Sequence, residues 1–259
     1  MLLHGKVGLV SGVGPGMGHA IAVAFAREGA DVVLAARTQA SLDTTAGEVR
    51  ALGRQVLAMP TDVTKQDDCL RIVAAAEAQF GRVDVLVNNA FLGPPYDPVE
   101  SAKMDDWRRI FDVNVFGSVQ LSQAVIPGMK ARRSGAIVMV NSMSMRIIEP
   151  RFGGYAASKG ALMTAAQTMA HELGPDGIRV NSVVPGYIWG PNLERWFQHL
   201  AAQRGITPEA VYDEIAARTA LRHIPTSAEI ADAVVFLASD LARAITGQAL
   251  DVNGGHFYH

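Results

Sequence analysis

Ser11-Gly12-Val13-Gly14-Pro15-Gly16-Met17-Gly18 decides how this chain is read. It follows the β-branched run Lys6–Ser11 and precedes the amphipathic stretch Met17–Arg27. Glycines between a strand and a helix permit a tight turn and let backbone N–H groups come close to a pyrophosphate. The start of the following helix adds partial positive charge. Glycine-rich stretches are common in ordinary loops, so the position carries the weight: this is where a dinucleotide-binding turn belongs. Gly12, Gly14, Gly16, Met17 and Gly18 are the candidate phosphate contacts.

The same alternation continues outward. Further strands are expected at Asp31–Ala36, Gln55–Met59, Val83–Val87, Ala136–Asn141, Arg179–Val184 and Ala249–Val252. Helical segments are expected at Leu42–Leu52, Asp67–Phe80, Trp107–Lys130 and Tyr155–Leu173. Continuous apolar runs such as Val83–Val87 suit strands buried on both faces of a parallel sheet. The expectation is a single doubly wound α/β domain, a Rossmann fold over residues 1–259, with a seven-stranded parallel sheet and ligands at the carboxyl ends of its strands. Tyr187–Thr226 reads as one long irregular segment, a candidate lid over the substrate.

Bulk properties exclude several classes. Basic and acidic residues nearly balance, 23 against 25, which leaves no electrostatic footprint for nucleic acid or an anionic membrane. No apolar run approaches a membrane span, and His4, Gly5 and Lys6 interrupt the first segment too early for a secretory signal. The one cysteine, Cys69, cannot form an internal disulfide, so a reducing, cytoplasmic setting is expected. No metal site is expected.

The second strand runs out as Ala35-Ala36-Arg37. A free ribose 2′-hydroxyl is usually met by an acidic side chain near this point, and Ala36 cannot accept a hydrogen bond. Arg37 either pairs with a 2′-phosphate or is a solvated loop charge, and the first choice favours NADP(H) over NAD(H). Asp62, after the third strand, is placed either to accept from an adenine amino group or to cap the next helix.

Read in order, Gly12-x3-Gly16-x-Gly18, Asp62-Val63, Asn88-Asn89-Ala90, Asn114-Val115-Phe116-Gly117, Ser142, Tyr155-Ala156-Ala157-Ser158-Lys159 and Pro185-Gly186 resemble the short-chain dehydrogenase/reductase family over essentially the whole chain. The resemblance implies an NAD(P)-dependent oxidoreductase that moves a hydride between a nicotinamide and an alcohol or carbonyl carbon. It implies Tyr155 as proton donor or acceptor, Ser142 on the substrate oxygen, Lys159 beside the tyrosine, and Asn114 holding a water that links Lys159 to solvent. It adds Asp62, Val63, Asn89, Ala90, Pro185, Gly186 and Ile188 as cofactor contacts, along with Tyr155 and Lys159. It also implies a homotetramer, assembled through Trp107–Lys130, Tyr155–Leu173 and the segment near Thr246-Gly247.

The physics agrees with the spacing. Residues four apart share a helical face, so Tyr155 and Lys159 should be neighbours. A free tyrosine ionises near ~10, and lowering that by roughly 3 units needs about 4 kcal/mol. A nearby ammonium and an oxidised nicotinamide are expected to supply it. Ser144 lies close enough to compete with Ser142 for the serine role. Asn114 has a second reading as a buried amide satisfied by a neighbouring strand.

Two departures from the family pattern and one misleading spacing matter. Phe91 stands where a glycine is usual, and either shapes the substrate pocket or packs under the next loop. Gly190 replaces a cofactor-contacting threonine. Tyr96 and Lys103 show the longer spacing of enoyl reductases, but lie in the loop after Gly93-Pro94-Pro95 and read as surface, which disfavours reduction of a carbon–carbon double bond. Phe91, Ser144, Phe152, Tyr187, Trp189 and Trp196 are the candidate substrate residues, near Met143 and Met145. Such adaptable apolar side chains suggest a bulky steroid-, lipid- or aromatic-type substrate, although Trp196 and Phe197 also suit the buried face of a lid helix. Two rivals remain: a cofactor-sensing protein without turnover, which has no need of Ser142, Tyr155 and Lys159 together, and a sugar-nucleotide epimerase, which normally has a longer C-terminal substrate domain.

Overall fold

The computed structural model describes residues 1–258. Seven strands are β1 (Val7–Ser11), β2 (Asp31–Ala36), β3 (Val56–Pro60), β4 (Val85–Asn88), β5 (Gly135–Val140), β6 (Ile178–Pro185) and β7 (Ala249–Val252). They pair in the order β3-β2-β1-β4-β5-β6-β7, every pair parallel. The chain moves outward from β1 to β3, then returns to β4 on the other side of β1. That reversal opens a crevice at the carboxyl ends of β1 and β4, the usual ligand position in such a sheet. Val10 is level with both Leu34 and Val87, so the segments leaving β1, β2 and β4 emerge side by side.

Helices cover both faces, which explains the unbroken apolar strands. On one face, α1 (Met17–Arg27), α2 (Gln39–Ala51) and α9 (Ser227–Ala238) bury Ile21, Phe25, Leu42, Val49 and Val234 against the sheet. On the other, α3 (Gln66–Phe80), α5 (Ser118–Arg132) and α6 (Gly153–Leu173) bury Ile72, Leu121, Val125 and Leu162. Gly8 is needed in β1 because a Cβ there would lie 2.4 Å from the Phe25 ring of α1.

One sequence expectation is refined and another corrected. The helix expected over Trp107–Lys130 runs without interruption from Met104 to Arg132, but as α4 (Met104–Phe111), a wide π turn over Asp112–Gly117, and α5. A π turn adds a residue to the ladder and rotates the next stretch of helix. Here Gly117 packs onto Val63, where a Cβ would come within 2.7 Å of Val63 Cγ2, and Asn114 turns fully inward. Nor is Tyr187–Thr226 irregular: it holds α7 (Pro191–Arg204) and α8 (Pro208–Ala216). Each begins with proline, whose missing N–H costs nothing in a first turn. Gly205, at φ 65°, ends α7, and the Thr207 hydroxyl accepts from Ala210 N to start α8. The pair has its own small core of Phe197, Ala201, Val211, Ile215 and Ile224.

Candidate active site

The glycine turn is built from two kinds of glycine. Gly12 sits at φ 71°, and a Cβ on it would lie 2.5 Å from Ala90 Cα; a Cβ on Gly18 would lie 2.3 Å from the Gly12 oxygen. These two let the turn close on itself and on the end of β4. Gly14 and Gly16 face open space instead, with Gly16 at φ 136°. That open space is where a side chain would compete with a phosphate, so the residues present fit a dinucleotide. Gly12→Ala should therefore lower Tm, because both its φ and the Ala90 backbone resist a methyl group, whereas Gly14→Ala should leave Tm nearly unchanged yet weaken dinucleotide binding. Thermal unfolding and cofactor titration of the two variants check this pairing.

Ser11, which the motif reading did not single out, is the hub below the turn. Its hydroxyl donates to Val87 O (3.3 Å) and accepts from the N–H groups of Asn89 (3.1 Å) and Ala90 (3.3 Å). The Asn89 amide donates to Ser11 O (3.2 Å) and Gly12 O (2.9 Å). Its side chain is thus spent on holding the turn. A cavity of about 450 Å³ opens above it, lined among others by Gly12, Gly14, Arg37, Asp62, Val63 and Ala90. Arg37 is exposed at its edge beside the hydroxyl-bearing Thr38 and Ser41. Asp62 Oδ1 accepts from Thr64 N (3.1 Å) and Thr64 Oγ1 (2.8 Å), while α3 starts after Lys65 with no side-chain cap. The helix-cap alternative for Asp62 is thereby overturned.

Tyr155 and Lys159 lie in the first turns of α6, at the carboxyl edge of the sheet. The start of that helix is pinned by Trp107: a Cβ on Gly153 or Gly154 would come within 2.9 Å of its indole. Lys159 is 3% exposed; its ammonium stands 5.7 Å from the Tyr155 ring centroid and donates to Val140 O at 2.7 Å. Ser142, extended at the end of β5, hydrogen-bonds the Tyr155 phenol and accepts from Ser144 N at 3.2 Å. Ser144 keeps a buried hydroxyl with no protein partner among the described residues. The geometry therefore puts Ser142, not Ser144, against the phenol.

In the protein alone the electrostatics run opposite to the lowering expected with an oxidised nicotinamide bound. Burial pushes the Tyr155 phenol up, the Ser142 hydrogen bond works against it, and Tyr96 adds a further upward push. Burial alone pushes Lys159 down to about 7. Both groups lose water, and burial disfavours the charged form of each. The protein by itself does not make the phenol acidic.

Asn114 is fully buried. Its amide donates to Ser158 Oγ (2.9 Å) and Leu92 O (3.1 Å) and accepts from Leu92 N (2.7 Å), and Ser158 in turn donates to Tyr155 O (2.7 Å). The side chain clamps the loop after β4 to the first turn of α6. That is the buried-amide reading, with a loop and a helix as partners in place of a strand. The main-chain carbonyl of Asn114 accepts from Ser118 Oγ at 3.0 Å.

Aromatic rings flank the phenol. Phe91 meets the Tyr155 ring edge-on at 6.5 Å and is 60% exposed, so it is not packed under the next loop. Phe152 meets it at 6.3 Å, and Tyr96 meets Phe152 at 5.3 Å. Tyr96 is exposed, as the surface reading expects, yet its ring reaches Phe152; Lys103 precedes α4. On the α7 side, Tyr187 stacks between Trp196 (6.3 Å) and His256 (5.7 Å), a tail residue that no motif pointed to. Trp189 packs on Phe197 and Tyr212 at 5.6 and 4.8 Å, against the small core of α7 and α8, and remains partly exposed. Of Trp196 and Phe197, only Phe197 is buried. Gly186 lets the tail pass, since a Cβ there would lie 2.9 Å from Asn253 Cβ; Ile188 packs against the core on the α1 and α9 face; Gly190 precedes α7.

A second cavity, of about 390 Å³, lies at the amino ends of the strands and is lined by none of the motif residues. Its Arg179 is spent on the carbonyls of Leu237 (2.7 Å) and Ser239 (3.1 Å), at the end of α9. The motif residues stand at the other edge of the sheet.

Fold and site together define a class of nicotinamide-dependent oxidoreductases, and the chain belongs to the short-chain dehydrogenase/reductase family. A family model described as enoyl-(acyl carrier protein) reductase matches residues 12–256. The chain is 34% identical over 256 residues to the 3-oxoacyl-acyl-carrier-protein reductase FabG of Thermotoga maritima, covering 98% of this chain and 99% of that protein. It is 34% identical over 253 residues to the 7alpha-hydroxysteroid dehydrogenase of Escherichia coli, covering 98% and 94%. A solved 7α-hydroxysteroid dehydrogenase, complexed with NADH and 7-oxo glycochenodeoxycholic acid, superposes with a TM-score of 0.86 at 34% identity, covering 98% of this chain and 94% of that one. An NAD+-bound xylitol dehydrogenase superposes with a TM-score of 0.90 at 31% identity, covering 98% and 100%.

Proposed function

We propose that this protein interconverts a ketone and a secondary alcohol with NADP(H), on a bulky apolar substrate. The observation that carries the reading is Tyr155 hydrogen-bonded to Ser142 and one helical turn from Lys159, beside a glycine turn with open space over it. A bound nicotinamide supplies or accepts the hydride. Tyr155 gives its proton to the carbonyl oxygen in reduction and takes it back in oxidation. Ser142 donates to the same oxygen as charge develops. Lys159 holds positive charge beside the phenol whenever it is protonated, and the main-chain carbonyl of Asn114 would hold a connecting water.

Gly12, Gly14, Gly16, Met17 and Gly18 would hold the pyrophosphate, and Arg37 with Thr38 and Ser41 the 2′-phosphate. Asp62, Val63 and Ala90 would border the adenosine and nicotinamide ends, with Pro185, Gly186 and Ile188 beyond. The solved relatives named above hold NAD+ or NADH, so the case for NADP(H) rests on Ala36 and Arg37 of this chain. Arg37→Ala should weaken NADPH binding about 10- to 100-fold, the loss of one charge-assisted hydrogen-bonding partner, and change NADH binding little. Titration with both cofactors checks it; equal weakening of the two would remove the 2′-phosphate assignment.

Phe91, Phe152, Tyr187 and Trp196 support the bulky substrate, with α7 and α8 as the lid that excludes water. The family's assembly logic supports a homotetramer, and the lone buried Cys69 a reducing cytoplasm. A panel of steroid, aromatic and small polyol substrates, followed at the nicotinamide absorbance with each cofactor, tests the whole reading. Preference for small polyols would overturn the substrate class; absence of any turnover would favour a cofactor-sensing role.

A further inference from the structure

Tyr96 sits in a left-handed conformation at φ 65°, between Pro94-Pro95 and Pro98. A bulky residue adopts that conformation only where its surroundings hold it there, and such outliers collect at functional sites. Arg151, at φ 69°, is a second left-handed residue, immediately before Phe152 on the facing loop. Two strained turns thus converge on one ring pair: Tyr96 against Phe152 at 5.3 Å, with Phe152 against Tyr155 at 6.3 Å. The Tyr96 side chain is 58% exposed, and its hydroxyl has no protein partner among the described residues. Its electrostatic influence nevertheless reaches the Tyr155 phenol. Phe91 and Phe152 form an otherwise apolar wall beside Tyr155, and Tyr96 carries the only hydroxyl in that wall. The flanking prolines keep the loop stiff, so little freedom is lost when a ligand engages it.

We propose that Tyr96 is a specificity-determining residue: its hydroxyl hydrogen-bonds a second oxygen, next to the reacting carbonyl, on an aromatic ketone seated against Phe91 and Phe152. This rests on the oxidoreductase reading above. Tyr155 and Ser142 take the oxygen that reacts; Tyr96 takes the one that does not. The aromatic body meets Phe91 and Phe152 through ring edges and faces. The substrate class is therefore an α-diketone or α-hydroxyketone with an aromatic substituent.

Two probes separate the oxygens: 1-phenyl-1,2-propanedione, and propiophenone, which lacks the second one. Y96F keeps the ring and its packing and removes only the hydroxyl. The variant should raise KM for the dione about 3- to 10-fold relative to its effect on propiophenone, the worth of one neutral hydrogen bond, with kcat for the dione within about twofold. Dissociation constants of both probes for the cofactor-saturated protein, read from tryptophan fluorescence, should show the same selective loss without requiring turnover. Equal effects on the two probes, or a wild-type protein that binds the dione no better than propiophenone, overturns the proposal and leaves the oxidoreductase reading standing. Selective loss of binding in a protein that turns over neither probe supports Tyr96 as a ligand-reading residue and counts against the chemistry.

Discussion

Tyr155→Phe should lower kcat by about 10²–10⁴-fold while leaving cofactor affinity within about twofold, the range expected when one positioned proton donor is lost. The substitution keeps the ring that Phe91 and Phe152 pack against, so the fold has no reason to respond. It removes the hydroxyl that is hydrogen-bonded to Ser142, on a ring whose centroid lies 5.7 Å from the Lys159 ammonium. Burial raises the phenol, so in the protein alone it is a proton donor at neutral pH. The carbonyl-reducing direction needs such a donor and should persist to alkaline pH. Oxidation of an alcohol needs the phenoxide and should rise with pH until the phenol ionises. Steady-state rates in both directions, with cofactor binding measured separately, check these outcomes. Near-normal turnover in the phenylalanine variant would falsify the mechanism, and a collapse of cofactor binding would mean that the ring, not the hydroxyl, mattered.

What can be read in the sequence is what short windows determine. Parallel strands covered on both faces are continuous apolar runs, so all seven strands and the helix after the glycine turn lie within about two residues of their expected places. Tyr155 and Lys159 are recognisable because a four-residue spacing fixes a shared face whatever surrounds it. The parts that escape depend on distant partners. The π turn at Asp112–Gly117 exists because Gly117 meets Val63 and Asn114 reaches Leu92 and Ser158. Tyr96 reaches the site only through Phe152, which no local pattern encodes. The helices α7 and α8 start at Pro191 and Pro208 amid polar and aromatic residues, and their common core forms only once the two pack together. The pKa of Tyr155 escapes for a related reason: spacing predicts a neighbouring cation, but desolvation depends on how deep both groups lie.

Lys159→Met should make the protein more stable and abolish its activity. Burial holds the amine at about 7, against about 10.4 for an exposed lysine. At neutral pH and below, folding therefore carries a penalty of up to about 5 kcal/mol for taking the charge out of water. Methionine removes that penalty and keeps a flexible side chain of similar length. It also strips Val140 O of the donor 2.7 Å away, which costs about 1–3 kcal/mol. The net gain is about 2–4 kcal/mol, or several degrees in Tm at about 2 °C per kcal/mol for a chain of this size. The sign with pH comes from proton counts. Between about pH 7 and pH 10.4 the unfolded chain binds a proton that the folded one does not, so the wild type gains stability as pH rises through this window. The advantage of the methionine variant should therefore be largest at pH 6 and shrink steadily toward pH 10. Thermal unfolding of both proteins, without cofactor, at pH 6, 7.5 and 9 reads the trend directly. A methionine variant less stable than the wild type at pH 6 would mean that Lys159 is held charged by its surroundings; the amine would then stabilise a phenoxide in the resting protein, and the pH course expected for Tyr155 would move down with it.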